Sequence, residues 1–236
     1  MAKENKMYKI EPHLHTCESS PCGVLHAREM VKRYSEAGYN TVIITDHLTR
    51  GLMDAIGDEL SWKEKVTVFL SGYFRAKKAA EAYGINVLMA AEFQLDESLN
   101  HYLAYGITRE FLEENPDIFS LSIKDFYTLA KANGIFIVQA HPYRDKKCFP
   151  TPEYVDGFEI FNSNARHIDY SDKSENTAKE YGLYVSAGSD AHRIEDVGLS
   201  GLISETEIKT MEDFVALIKS RKAEIIKYID NDVSFD

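Results

Sequence analysis

The hydrophobic pattern of the chain alternates between short apolar runs and amphipathic stretches. Residues 41–45 form a continuous β-branched run, which is typical of a strand buried on both faces. Residues 27–37 repeat apolar side chains at helical spacing, and Gly38 follows them as a helix-ending residue. Further strands are predicted at 8–12, 85–91, 101–106, 135–140, 157–161, 183–187 and 224–228, and further helices at 61–83, 122–133, 172–181 and from 210 onward. This alternation of about seven strands with helices predicts a mostly parallel α/β sheet.

Polar side chains stand where many of these predicted strands end. They are Asp46 and His47, Glu92, His141, Asn162, and Asp190 with His192. An open α/β sheet brings together only the strands at its switch point, whereas a closed barrel brings all carboxyl ends to one face. The sequence therefore favours a closed barrel with its chemistry at the C-terminal ends of the strands.

The residue types at these positions favour metal binding. His13 and His15 are two residues apart in an extended segment, so both imidazoles point to one side and reach one ion. Glu92 ends a buried apolar run, where a carboxylate is costly unless it is paired with an arginine or bound to metal. Histidine is the commonest metal ligand. We interpret His26 and His167 as surface or loop residues, with substrate contact as the alternative for His167.

Composition narrows the functional class. The chain has 236 residues and a net charge of −11, which argues against long nucleic acid as a partner. Three cysteines do not form a disulfide framework. The first residues lack an apolar signal core, and no run approaches the roughly 20 apolar residues of a membrane span. We expect a cytoplasmic protein with reduced thiols and no membrane segment; the sequence carries no signal for its oligomeric state.

The motifs, taken in order, resemble those of the polymerase and histidinol phosphatase (PHP) family of metal-dependent phosphoesterases. They are H-L-H at 13–15, T-D-H at 45–47, A-E-F at 91–93 followed by His101, A-H-P at 140–142, and G-S-D-A-H at 188–192. The resemblance covers nearly the whole chain. It implies one domain over residues 1–236, folded as a distorted (β/α)7 barrel, with two to three divalent ions (Zn, Fe or Mn) at the strand ends.

The same resemblance implies which residues hold each metal. The first metal is assigned to His13, His15, Glu92 and Asp190; the second to Glu92 as a bridge with His101 and His141; the third to His47 and His192. The family supplies a further His or Asp from the loop after H-x-H, and residues 16–23 contain neither. We choose Cys22 for that position because thiolate is a good zinc ligand, with Glu18 as the alternative.

The implied reaction is hydrolysis of a phosphate ester by metal-activated water, acting on a small phosphorylated metabolite or nucleotide. Arg144, three residues after His141, is the predicted phosphate contact, because a guanidinium binds phosphate through two donors. Lys146, Lys147, Arg166 and Arg193 are further candidate cations. Asp46 is predicted to orient His47 or another ligand, and His192 or Asp46 to protonate the leaving group.

Two other functions stay open at this point. An amidohydrolase-like barrel also carries H-x-H after its first strand, but it typically uses a bridging lysine where this chain has Glu92. A non-catalytic metal-binding regulatory domain is the second alternative, and the nearly complete set of ligands argues against it.

Overall fold

The computed structural model describes residues 6–144, 148–168 and 170–227. Ten strands in these residues form one sheet in the order β10-β9-β1-β2-β4-β5-β6-β7-β8, with β3 paired to β4. The strands are β1 (Tyr8–Leu14), β2 (Thr41–Ile44), β3 (His47–Leu48), β4 (Asn86–Gln94), β5 (His101–Tyr105), β6 (Phe136–Ala140), β7 (Gly157–Asn162), β8 (Tyr184–Gly188), β9 (Ser200–Ser204) and β10 (Glu224–Lys227). The helices are α1 (Ala27–Glu36), α2 (Arg50–Ala55), α3 (Trp62–Phe69), α4 (Ser71–Tyr83), α5 (Arg109–Glu114), α6 (Ile123–Ala132), α7 (Ser171–Glu180) and α8 (Met211–Ser220).

The sheet curls into a nearly closed barrel, which confirms the predicted fold class. Strands β1, β2 and β4 are parallel neighbours, as are β6, β7 and β8. The two ends of this array meet beyond β8, where the His15 N–H donates to the Ala191 carbonyl at 2.9 Å. Leu14 and Ala191 form a parallel bridge at the same place. The barrel is distorted because β5 runs antiparallel between β4 and β6, and β9 runs antiparallel to β1.

The reversed direction of β5 has a consequence for the site. An antiparallel strand begins where its neighbour ends, so His101 at the start of β5 pairs with Gln94 at the end of β4. His101 therefore lies at the same edge of the barrel as Glu92, although it begins its strand instead of following it.

The predicted helix over 61–83 is two helices, and the break shapes the loop after β1. Ser61 forms the expected capping box with Glu64, but α3 ends at Phe69 and α4 begins at Ser71. The Ser19 hydroxyl accepts the Gly72 N–H at 3.0 Å and donates to the Phe69 carbonyl at 2.5 Å. A side chain at Gly72 would lie 2.1 Å from the Thr16 hydroxyl. The break thus lets the loop at 16–20 pack directly against the helix pair.

The sequence pattern missed four elements: β3, α2, α5 and β9. Each is short, and the two to six residues of each do not repeat a helical or strand period long enough to detect. The last residue of the predicted strand at 224–228, together with Lys146 and Lys147, lies outside the described residues.

The barrel is filled by apolar side chains below the polar edge. One buried cluster draws on β1, β2, β4, β5, β6, β8 and β9, and Phe214 and Ile218 of α8 belong to it. The polar residues at the carboxyl ends of these strands are also buried. Among the described residues, no helix combines the length and apolar character needed to cross a membrane.

Candidate metal centre

The predicted ligands come together at the carboxyl edge of the barrel, around the side chain of Glu92. This carboxylate is fully buried. Its Oε1 lies 3.0 Å from both His101 Nδ1 and His141 Nε2, and 3.4 Å from His13 Nε2. Its Oε2 lies 2.6 Å from His47 Nδ1. Glu92 therefore lies at the centre of the side chains that were predicted as ligands.

A second carboxylate faces the two histidines of β1. Asp190 Oδ1 lies 3.1 Å from His15 Nε2 and 3.4 Å from His13 Nε2, and the two imidazole nitrogens are 3.2 Å apart. His15, His47 and His192 form a further group whose donor atoms lie within 4.8 Å of one another. Three sets of donors thus converge in one small volume.

Hydrogen bonds behind the histidines fix which ring nitrogen faces this volume. The Nδ1 of His13 donates to Glu159 Oε1 at 2.8 Å, because a carboxylate only accepts. The Nδ1 of His192 donates to the backbone carbonyl of Asp190 at 2.7 Å. In the neutral form of both residues, the form that binds metal, Nδ1 carries the proton and Nε2 faces the centre with its lone pair.

Two buried carboxylates of this edge were missed by the sequence reasoning. Glu159 accepts from His13, from the His141 N–H at 3.0 Å and from the Asn162 amide at 2.8 Å. Glu11 accepts from the backbone N–H of His13 at 2.9 Å and from Ser189 and Tyr34. The signal was present, since each glutamate interrupts an apolar strand as Glu92 ends one.

The turns that carry His141 and Asp190 have unusual backbones. His141 has φ 31° and Asp190 φ 50°, both in the left-handed region that side chains rarely adopt. The Glu159 carboxylate holds the first turn through the His141 N–H. Gly188 precedes the second turn, and a side chain there would lie 2.6 Å from the Cβ of His13. Such local strain concentrates at functional sites.

Electrostatics separate the histidines into two groups. Burial lowers the pKa of every buried imidazole, but the Glu92 charge overrides this at His47 and raises its pKa to about 10. Burial and the neighbouring His47 and His192 hold the pKa of His15 well below its ordinary value. Burial and the Arg144 charge lower the pKa of His141 to about 4. His15 and His141 are therefore neutral at pH 7, the form that binds metal.

The two carboxylates of the centre, Glu92 and Asp190, have pKa values below the ordinary range. Burial raises the pKa of Glu92, yet the charges of His101, His47 and His13 hold it well below the ordinary value. Burial also raises the pKa of Asp190, but the charges of His13 and Arg144 hold it well below the ordinary value. Both groups are ionised at neutral pH, and they supply the negative charge that divalent cations need.

These residues fit divalent cations because two buried, ionised carboxylates, Glu92 and Asp190, lie among imidazole nitrogens. Glu92 Oε2 lies 2.6 Å from His47 Nδ1 and 3.5 Å from His15 Nε2. A group of buried carboxylates is costly unless cations neutralise it. Neutral imidazoles with carboxylates are ligands that Zn, Fe and Mn accept.

The loop after β1 distinguishes between the two candidates for the missing ligand. Burial raises the pKa of Cys22, but the neighbouring His192 and His47, which line the same cleft, lower it to about 6. Glu18 instead faces α1, where its Oε2 accepts the Ala27 N–H at 2.9 Å. Cys22 lies beside two of the assigned ligands, and Glu18 does not.

Asp46 lies behind the centre and anchors this loop. Its Oδ1 accepts the Thr16 N–H at 2.6 Å and the Ser20 hydroxyl at 2.9 Å, and its Oδ2 accepts the Thr16 hydroxyl at 2.7 Å. The Ser20 Oγ in turn accepts the His47 N–H at 2.9 Å and lies 3.4 Å from His15 Nδ1. Asp46 thus contacts the ligand residues through Ser20.

An open cleft of about 490 Å³ lies over the donors. Arg144 lines it and donates one guanidinium N–H to Asp190 Oδ2. Arg166 also lines it, with both terminal nitrogens bound to Asp196 at 2.8 and 2.9 Å. The other lining residues are Cys22, His47, Gln94, Leu99, His101, His141, Cys148, Asn164, His167, His192 and Arg193. Among the described residues, the lining contains no Asp or Glu, although the whole chain is acidic.

Comparisons with known proteins agree with the resemblance read from the motifs. Residues 170–223 match a family model described as PHP-associated. No curated protein sequence matches the chain. The fold is similar to that of a Bacteroides vulgatus two-domain protein described as containing a predicted PHP-like metal-dependent phosphoesterase. That match has 17% identity and a TM-score of 0.65, and it covers 95% of this chain and 66% of that one.

Two further solved structures share the fold. One is described as an amidohydrolase from Chromobacterium violaceum, with 16% identity, a TM-score of 0.55 and coverage of 95% of this chain and 100% of that chain. The other is a lesion-specific endonuclease from Pyrococcus furiosus, with 16% identity and a TM-score of 0.60. This match covers 93% of this chain and 58% of that chain. At these identities the likeness establishes the fold, which is the distorted barrel of PHP-like proteins.

Proposed function

We propose that the protein hydrolyses a phosphate ester of a small phosphorylated metabolite or nucleotide, at a centre of two to three divalent cations. The observation that carries the proposal is the Glu92 carboxylate, which has nitrogen atoms of five histidines within 3.5 Å. Arg144, Arg166 and Arg193 among the described lining residues of the cleft support an anionic substrate.

We divide the donor side chains among the cations as the resemblance implies. His13, His15 and Asp190 would hold the first cation, and His101 and His141 the second, with Glu92 bridging the two. His47 and His192 would hold a third, with Cys22 as its additional ligand. When bound, such cations supply an activated water and neutralise the charge that develops on a phosphoryl group.

Arg144 is placed to orient the phosphoryl group. One guanidinium N–H donates to Asp190, while the side chain lines the cleft, so further donors remain for phosphate oxygens. The interaction with Asp190 also restrains the guanidinium before substrate enters. A preorganised guanidinium stabilises developing negative charge without reorganisation.

Neither predicted proton donor suits protonation of the leaving group. The Nδ1 of His192 donates to the Asp190 carbonyl, and its Nε2 has no proton when it holds a cation. Asp46 is enclosed by Thr16 and Ser20 and does not line the cleft. We therefore assign both residues to support of the centre and propose that water protonates the leaving group.

The test is turnover of a substrate panel by metal-stripped protein reconstituted separately with Mn, Zn and Fe. The panel contains an aryl phosphate, amino-alcohol phosphates, nucleotides, and amide and lactone substrates. We expect metal-dependent release of inorganic phosphate. Turnover of amides or lactones alone would instead support the amidohydrolase alternative. Metal binding without turnover of any member would overturn the proposal in favour of a binding role.

A further inference from the structure

A second group of metal-binding side chains lies outside the centre, on the loop between β1 and α1. The Cys17 sulfur lies 3.0 Å from His26 Nδ1, and Glu18 Oε1 lies 3.3 Å from the same nitrogen. The Cys17 sulfur is 3.8 Å from Glu18 Oε2. One donor atom from each residue lies within 4.8 Å of the other two.

These separations match those of ligands around one zinc ion. Zinc takes sulfur at about 2.3 Å and nitrogen or oxygen at about 2.0 Å, so ligand atoms at the corners of its tetrahedron lie roughly 3.3–3.8 Å apart. The distances of 3.0 Å from His26 Nδ1 to the Cys17 sulfur and 3.3 Å from His26 Nδ1 to Glu18 Oε1 require only small outward movements. Sulfur, nitrogen and oxygen together favour zinc over magnesium or calcium, which take oxygen.

The backbone already holds the three donors in position. The Cys17 N–H donates to the Leu25 carbonyl at 2.9 Å and closes the loop. Glu18 Oε2 accepts the Ala27 N–H at the start of α1, which leaves Oε1 directed at His26. The Glu18 side chain is only 10% exposed, whereas that of His26 is 76% exposed. The site therefore has a fixed carboxylate and an open side for water.

We propose that Cys17, Glu18 and His26 bind a zinc-class divalent ion, with water as the fourth ligand. The ion would tie the loop that carries Ser20 and Cys22 to the start of α1. None of the three residues belongs to the donor groups around Glu92. The inference is therefore independent of the proposed function, and it explains why Glu18 does not face the centre.

The test uses a variant in which Cys17 is the only thiol. The chain has three cysteines, so Cys22→Ser combined with Cys148→Ser leaves Cys17 alone. Titration of this protein with Co²⁺ should produce a thiolate-to-cobalt charge-transfer absorption. Adding His26→Asn or Glu18→Gln should weaken the cobalt affinity measured by that absorption at least about tenfold, while His167→Asn should not change it.

The absorption reports on Cys17 whether or not the main centre is active, so failure of one proposal is distinct from failure of the other. A sole-thiol protein without this absorption, or one in which neither His26→Asn nor Glu18→Gln changes it, would overturn the assignment. A second measurement avoids the cysteine substitutions. In the otherwise unchanged chain, His26→Asn should lower the zinc stoichiometry by one in native mass spectrometry, and an unchanged stoichiometry would also reject the site.

Discussion

Two pairs of buried carboxylates lie at the same edge of the barrel and differ in what surrounds them. Glu92 and Asp190 face several imidazole nitrogens. Glu11 and Glu159 accept mainly from backbone N–H, hydroxyl and amide donors. The comparison indicates that backbone, hydroxyl and amide donors surround a buried carboxylate that supports the structure, whereas several imidazoles around one mark a cation site.

Replacement of Glu92 should have the largest effect. We expect Glu92→Gln to lower metal affinity and metal-dependent turnover by more than about 100-fold, beyond the 10–100-fold typical of an outer-shell residue. An amide cannot bridge two cations with two charged oxygens. Isothermal titration with Zn²⁺ and phosphate release would measure both quantities, with exposed Glu81→Gln on α4 as the control. Equal metal affinity in Glu92→Gln and Glu81→Gln would contradict the proposal that Glu92, unlike Glu11 and Glu159, holds the cations.

Glu11 should instead affect folding stability, in a pH-dependent way. Burial raises its pKa from 4.5 to about 7, against its hydrogen bonds. The folded state therefore binds the proton more tightly than the unfolded state. The free energy of unfolding should fall by about 3 kcal/mol as pH rises from 4.5 through 7.

Denaturant unfolding of metal-stripped wild type and Glu11→Gln at pH 4.5, 6 and 8 measures this contribution. The variant lacks the titrating group, so its stability relative to wild type should increase with pH. A difference between the two proteins that is constant over this range would show that Glu11 does not titrate there.

Replacement of Glu159 should reduce metal binding without abolishing it. Glu159→Gln weakens the acceptor for His13 Nδ1 and for the His141 N–H, so two ligands lose their fixed orientation. Loss of such a partner costs about 10–100-fold in metal affinity or activity. Isothermal titration of Glu159→Gln with Zn²⁺ measures this loss of affinity, with Glu81→Gln as the control. A loss as large as that of Glu92→Gln would place Glu159 among the ligands.

Gly188 tests how tightly Glu11 and Glu159 pack around the backbone that carries the predicted ligands. Gly188→Ala would place a methyl group 2.6 Å from the His13 Cβ and 3.1 Å from both Glu11 Oε1 and Glu159 Oε1. Overpacking of this kind costs about 1–3 kcal/mol of stability. Gly51→Ala is the control, because its Cβ meets nothing within 4 Å. Thermal unfolding measures the stability of both variants. Equal stability would show that the residues around Gly188 can move to accommodate a methyl group.

Sequence spacing predicted which side chains come together better than it predicted the residues that support them. His13, Glu92, His141 and Asp190 lie near strand ends, and parallel strands carry their ends to a common edge. Glu159 interrupts an apolar strand, but the sequence does not show what this glutamate contacts. Its partners are 146 and 18 residues away, and no local pattern encodes them.

The loop at 16–23 shows the same limit. Residue type favoured Cys22 over Glu18 as the donor. Packing of Ser19 against the break between α3 and α4 helps to hold the loop with Cys22 beside His47 and His192. His101 is a third case, since its position depends on the reversed direction of β5.

The sequence by itself determined the alternation of strands and helices, the barrel class and the chemical type of the centre, because strand period and residue chemistry are local properties. The tertiary structure decided which nitrogen of each histidine faces the centre, which carboxylates are satisfied, and where the loop donors point. Those outcomes depend on hydrogen bonds and packing between residues far apart in the chain, which exist only once the barrel has closed.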